Sequence, residues 1–263
     1  MTPCDVQKLA SAHPLHSVPS SVLSDSDQGI VVHGIDLAWG DRNPDGICRL
    51  VGTPSHAKVE WLSRTLGDAT LVSTLKPQIQ RGTHLLAIDA PLICHNPTGS
   101  RPVDSEVQRQ FGRYRCGAYP VNQRLCPRPL RTAKALQTLG FVCDCRPPSP
   151  SALHMMEVYP HTALVRRFSL SERIPYKKGP LDDRRRAFSR LQGLLEKWLE
   201  QERVGVPQRL SEPLEAPWTK GREDLIDALI CSLIGYHHWK YQGVRSQVLG
   251  ESDTGFLVTL AER

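Results

Sequence analysis

The chain has 263 residues, 40% of them hydrophobic and only 6% aromatic, which is enough for one sizeable and largely aliphatic core. A net charge of +6 favours an anionic partner. No apolar run approaches the ~20 residues of a membrane helix, and the eight cysteines contain no Cys-x-x-Cys pair, which argues against a disulfide framework.

Residues 1–28, rich in Ser, His, Pro and Asp and without periodicity, read as a disordered leader with no secretory signal. Residues 29–263 read as one domain in a reducing, cytoplasmic setting. A first strand is expected over about 30–38. The turn residues between Gly40 and Gly46 fold it back onto Ile47–Val51 as a hairpin. Lys58–Leu62 is expected as a third antiparallel strand, with helix as the alternative. Asp68 is the expected cap of a helix from Ala69 to about Ile79, shortened by Pro77. Leu85–Asp89 follows as a buried strand.

Residues 92–150 form an insertion rich in Arg and Pro, with helices expected at about 104–111 and 132–139. Another strand is expected at 154–159. Apolar residues at helical spacing predict a helix over 182–201. The three prolines of 205–220 predict a loop, and a second long helix is expected over 223–240. Phe256–Leu260 reads as a terminal strand. The order predicts an α/β fold, a mixed sheet flanked by helices.

With the first strand central and parallel to the 85–89 and 154–159 strands, Asp36, Asp89 and Glu157 would fall at one carboxyl edge of the sheet, where open α/β sheets bind ligands. Asp224 and Asp227 share one face of the late helix. The same face continues through Ala228, Cys231 and Gly235, small enough for close approach to the sheet. Buried carboxylates are costly unless something positive meets them, and oxygen-only donors suit Mg²⁺ or Mn²⁺. Two such ions would activate water for in-line attack on a phosphodiester. Asp36 would bridge them, Asp89 and Asp227 would hold one each, and Asp224 or Glu157 would complete a shell.

Each acid also has a structural reading. Asp224 would complement a helix dipole, Asp36 and Asp89 would cap turns, and Glu157 would pair with Arg166 or Arg167. The basic excess is concentrated in two stretches. Seven arginines lie between Arg101 and Arg131, and eight Arg or Lys lie between Arg166 and Arg186. They suit either phosphate binding or a solvated surface.

Gly34-Ile35-Asp36-Leu37-Ala38-Trp39, Ile88-Asp89-Ala90-Pro91-Leu92, Arg101-Pro102-Val103-Asp104, Glu157-Val158-Tyr159-Pro160 and Asp224-Leu225-Ile226-Asp227-Ala228 together resemble the motifs of domain-of-unknown-function family 429. That family is described as predicted nucleases of RNase H-like fold. The resemblance implies an RNase H-like sheet with Asp36, Asp89 and Asp227 at its metal positions. It also places Arg101 and Asp104 in a family motif of the insertion, and with Asn96 and Arg113 nearby these are the expected substrate contacts. The expected function is metal-dependent nuclease or phosphodiesterase action on DNA or RNA, with two Mg²⁺ or Mn²⁺ ions as cofactors and nucleic acid or nucleotide phosphates as partners. A nucleotide phosphotransferase or phosphohydrolase, or a non-catalytic nucleic-acid-binding module, are the alternatives.

Overall fold

A computed structural model describes residues 29–79 and 81–262; the leader expected over 1–28 lies outside the described residues. Strand β1 (Ile30–Asp36) pairs antiparallel with β2 (Asp45–Gly52), which pairs antiparallel with β3 (Ala57–Thr65). On its other side β1 pairs in parallel with β4 (Thr83–Ile88), and β4 with β6 (Leu153–Glu157). Two-residue strands finish the edges, β5 (Val142–Cys143) and β7 (Val204–Gly205), giving the order β5-β6-β4-β1-β2-β3-β7. This is the mixed sheet that the sequence predicts, and β1 is its central strand. The third strand resolves as strand, not helix.

Both faces of the sheet are covered, which is why its parallel strands read as unbroken apolar runs. Ile35, Ile47, Leu86, Ile88 and Met155 pack beneath α1 (Asp68–Leu75) and α3 (Pro127–Gln137). The alternate residues Val32, Leu50, Leu85, Ala87 and Met156 meet the opposite layer, built from α5 (Leu181–Glu202) and α7 (Lys220–Lys240). The layer also includes α2 (Pro102–Phe111) and α4 (Pro160–Phe168). Among the described residues no helix is long and apolar enough to cross a membrane.

The approach of α7 to the sheet is set by glycine. A Cβ on Gly34 would lie 2.0 Å from the Ala228 carbonyl oxygen, and one on Gly46 would lie 2.1 Å from that of Asp224. Only a residue without a side chain admits a helix backbone at that distance. From the helix side, a Cβ on Gly235 would reach within 2.8 Å of Val32. The small-residue face of α7 therefore lies against β1, as its spacing predicts.

Several expectations need correction. Asp68 does not cap α1; Gly67 holds that position, while the Asp68 carboxylate accepts bonds from Arg128, Arg131 and Thr132. Two guanidiniums and a hydroxyl from α3 outcompete one backbone N–H. Helix α7 starts one turn earlier than expected because the Thr219 hydroxyl accepts from the Arg222 N–H. The region expected as loop over 205–220 contains a short helix, α6 (Glu212–Glu215). Helix α4, which opens on Pro160, has no counterpart among the expected elements, although proline favours a first helical turn. The terminal strand β9 (Gly255–Leu260) does form, but in a separate hairpin with the unforeseen β8 (Ser246–Glu251).

Candidate functional site

The register decides which acids meet. Ile35 of β1 stands beside Ile88 of β4, so Asp36 and Asp89 follow side by side and lean toward the same face. That face is the one carrying Gly34, over which α7 lies, and α7 places Asp227 there with its side chain fully buried. Asp36 and Asp89 are both held toward their protonated forms by burial and by neighbouring negative charge. Burial first, then the negative charges of Asp227 and Asp89, raises Asp36 well above the ordinary carboxylate range, against the pull of Lys177 and Lys220. Asp89 is pushed up to about 7 by burial, with Asp227 and Glu157 adding to it and Lys177 opposing.

The positive group that meets them is Lys177, from the loop between α4 and α5. Its Nζ lies 2.8 Å from Asp227 Oδ2 and 3.9 Å from Asp89 Oδ2. The neighbouring Tyr176 hydroxyl donates to Asp227 Oδ1 at 2.6 Å. Both oxygens of Asp227 are thus engaged. Burial alone would lower the Lys177 pKa, but Asp227, Tyr176, Asp36 and Asp89 outweigh it and hold the ammonium charged. One turn beyond Asp227, Cys231 feels the same cluster: burial and then Asp89, Asp36 and Asp227 push its thiol up.

Asp224 does not join this group. Its Oδ2 pairs with Arg64 of β3 and its Oδ1 with Lys220, both at 2.9 Å, so it ties α7 to the antiparallel half of the sheet. Glu157 is also separated. It aligns with Ile88, not with Asp89, and the two-residue period turns it to the opposite face from Asp36 and Asp89. There it receives two 2.7 Å bonds from the Arg101 guanidinium and one from the Leu92 N–H at 3.3 Å. Its partner is therefore Arg101; Arg166 pairs with Glu262 and Arg167 with Glu202.

The expected substrate contacts are largely occupied internally. Arg101 is 2% exposed and also binds Asp104 at 2.8 Å and the Ile93 carbonyl at 3.0 Å. Asp104 in turn accepts from the Arg101 and Val121 N–H groups. The Asn96 amide donates to the carbonyls of Thr98 and Val121, closing the loop after β4. Arg113 is exposed and stacks over the Tyr114 ring at 4.6 Å.

Beside Asp89 opens a pocket of about 280 Å³, lined by Trp39, Tyr119, Tyr159, His161, Arg173, Lys177 and Lys178 among others. The sequence gives no sign of Lys177 and Tyr176 beyond their place in a basic stretch. It also conceals the buried pair Arg128–Asp45 at 2.7 Å, since Asp45 reads as a turn residue. That pair joins the insertion to β2.

Among the described residues no three acidic, histidine or cysteine side chains are set as a ready metal cage. The donor chemistry of Asp36, Asp89 and Asp227 is carboxylate oxygen throughout, which fits a hard divalent cation. In this arrangement the Lys177 ammonium holds the place between Asp89 and Asp227.

Fold and site define an α/β protein with a carboxylate–lysine cluster at the carboxyl edge of a mixed sheet, opening on a largely apolar pocket that also carries Arg173, Lys177 and Lys178. The chain belongs to the family described as Protein of unknown function (DUF429), whose profile matches residues 34–253. No curated protein and no solved structure matches it.

Proposed function

We propose that this protein is a metal-dependent phosphodiester hydrolase acting on nucleic acid or nucleotides. The observation that carries the reading is the meeting of Asp36, Asp89 and Asp227, from two parallel strands and a helix, beside a pocket whose lining includes Arg173, Lys177 and Lys178. The strand order is consistent with an RNase H-like sheet. Asp36, Asp89 and Asp227 would hold Mg²⁺ or Mn²⁺, which when bound would ionise the attacking water and stabilise the leaving oxygen.

The remaining work falls to side chains of the chain itself. Lys177 faces both the acids and the pocket, so its charge can move from Asp227 to a phosphate oxygen with a short swing of a flexible stem. Arg173 and Lys178 add positive charge on the same wall and would orient the phosphate. Attack by water on phosphorus breaks the ester P–O bond, and the departing oxygen takes up a proton. A reducing, cytoplasmic setting suits the free thiols of the described cysteines.

One observation favours the reading of a non-catalytic nucleic-acid-binding module: Lys177 already neutralises part of the acidic cluster without metal. Turnover separates the two. Purified protein is incubated with Mg²⁺ or Mn²⁺ and a panel of DNA, RNA and nucleotides, beside a variant carrying Asp36→Asn and Asp227→Asn. Metal-dependent cleavage lost in the folded variant supports the hydrolase; cleavage that persists there, or salt-sensitive binding without turnover, refutes it.

A further inference from the structure

We infer that the pocket beside Asp89 binds a single nucleotide unit, its base against the aromatic rim and its phosphate on the cationic wall. The inference rests on the proposed hydrolase in one respect: Asp89 is shared between pocket and acidic cluster, so a phosphate held there would sit next to the acids.

Three features support a ligand of this chemistry. Trp39 is 41% exposed and Tyr119 is 68% exposed, yet both line one opening. Large aromatic faces left in water at the mouth of an apolar pocket suit stacking on a flat ring, and every nucleobase offers one. Arg173 and Lys178, which line the same pocket, have no carboxylate partner among the described residues. Lys178 instead donates to the Tyr119 hydroxyl at 3.3 Å, so a cation and a ring face stand together at the rim. Unpaired positive charge beside an aromatic surface matches an anion attached to a ring.

The third feature is His161. It lines the pocket, is 5% exposed, and its Nδ1 has no hydrogen-bond partner. Tyr159 and Tyr176 pack against its ring, with centroids 5.7 and 5.3 Å away. The ring therefore adds a fixed aromatic surface to the pocket lining. Size then restricts the ligand. About 280 Å³ is at the low end for a small-molecule site, roomy enough for one nucleotide and far too small for a duplex. The substrate is accordingly a free nucleotide or an unpaired strand end, with its neighbours left outside.

The test is binding of adenosine and uridine 5′-monophosphates to the full chain without metal, read by quenching of tryptophan fluorescence and by calorimetry. Inorganic phosphate and the two nucleosides serve as half-ligands. The monophosphates should bind more tightly than either half. Tyr119→Ala and Trp39→Ala, both at exposed positions, should each weaken nucleotide binding about tenfold and leave phosphate binding unchanged. Lys178→Ala should weaken nucleotide and phosphate alike. Absence of mononucleotide binding, or binding indifferent to Tyr119 and Trp39, overturns the inference even if the protein cleaves oligonucleotides. Nucleotide binding without any metal-dependent hydrolysis upholds the pocket and removes the hydrolase.

Discussion

Lys177 Nζ stands 2.8 Å from Asp227 Oδ2, so the most deeply buried acid of the cluster is neutralised by a side chain from a loop. A divalent ion and this ammonium would claim the same oxygens. Replacing Lys177 by Met should destabilise the metal-free protein by roughly 2 kcal/mol, less than the ~3–5 of a fully buried pair because the lysine is 28% exposed. Mg²⁺ should then raise the melting temperature of the variant more than that of the native protein, as measured by calorimetric scans with and without the ion. Equal shifts in both would show that lysine and metal do not compete.

Arg101 joins Glu157 and Asp104 in a buried network at the start of α2. Arg101→Ala leaves two buried carboxylates without their cation and should cost about 3–5 kcal/mol in urea unfolding. Glu157→Gln keeps its shape and should cost less. If Glu157 acts through Arg101 alone, the Gln variant will bind Mn²⁺ as the native chain does in calorimetric titration; a large loss of affinity would return Glu157 to the metal shell.

The close approach of α7 to β1 gives a contrast between two glycines. Gly34→Ala forces a methyl to 2.0 Å from the Ala228 carbonyl and 2.2 Å from the Ser232 nitrogen. Both are backbone, which cannot swing away, so a loss of about 3 kcal/mol or more is expected. A Cβ at Gly40 meets nothing within 4 Å, and Gly40→Ala should fall within about 0.5 kcal/mol of the native protein. Equilibrium denaturation of the two variants settles the comparison.

Stability should depend on pH through buried histidines. Burial, assisted by Arg49 and His84, lowers His33 from 6.5 to about 3, and burial lowers His238 to about 4. In the unfolded chain both take up a proton near pH 6.5, while in the folded protein they remain neutral well below that. Their stabilisation is therefore complete above about 6.5 and is lost as pH falls toward 4 and 3. Each contributes a slope of up to about 1.4 kcal/mol per pH unit within its window. Urea midpoints measured between pH 7 and 4 should show that fall, and His33→Gln should reduce its slope. An unchanged slope would remove His33 from the account.

What could be read in the sequence was local or periodic. Apolar runs ending on Asp36 and Asp89 marked parallel strands, and the spacing of Asp224, Asp227, Ala228, Cys231 and Gly235 marked a helix that lies close to the sheet. The five motifs pointed to the family. Those signals depend on the two-residue and 3.6-residue periods of the backbone, which the chain carries in one dimension. The tertiary structure decided which acids share a site. A one-residue offset between Asp89 and Glu157 turned them to opposite faces, and Arg64 drew Asp224 away from Asp227. It also brought Lys177 and Tyr176 to the acids from a loop without periodicity. Register and ion pairing join residues tens to hundreds of positions apart, and side-chain partners at such separations leave no repeating mark in the order of the amino acids.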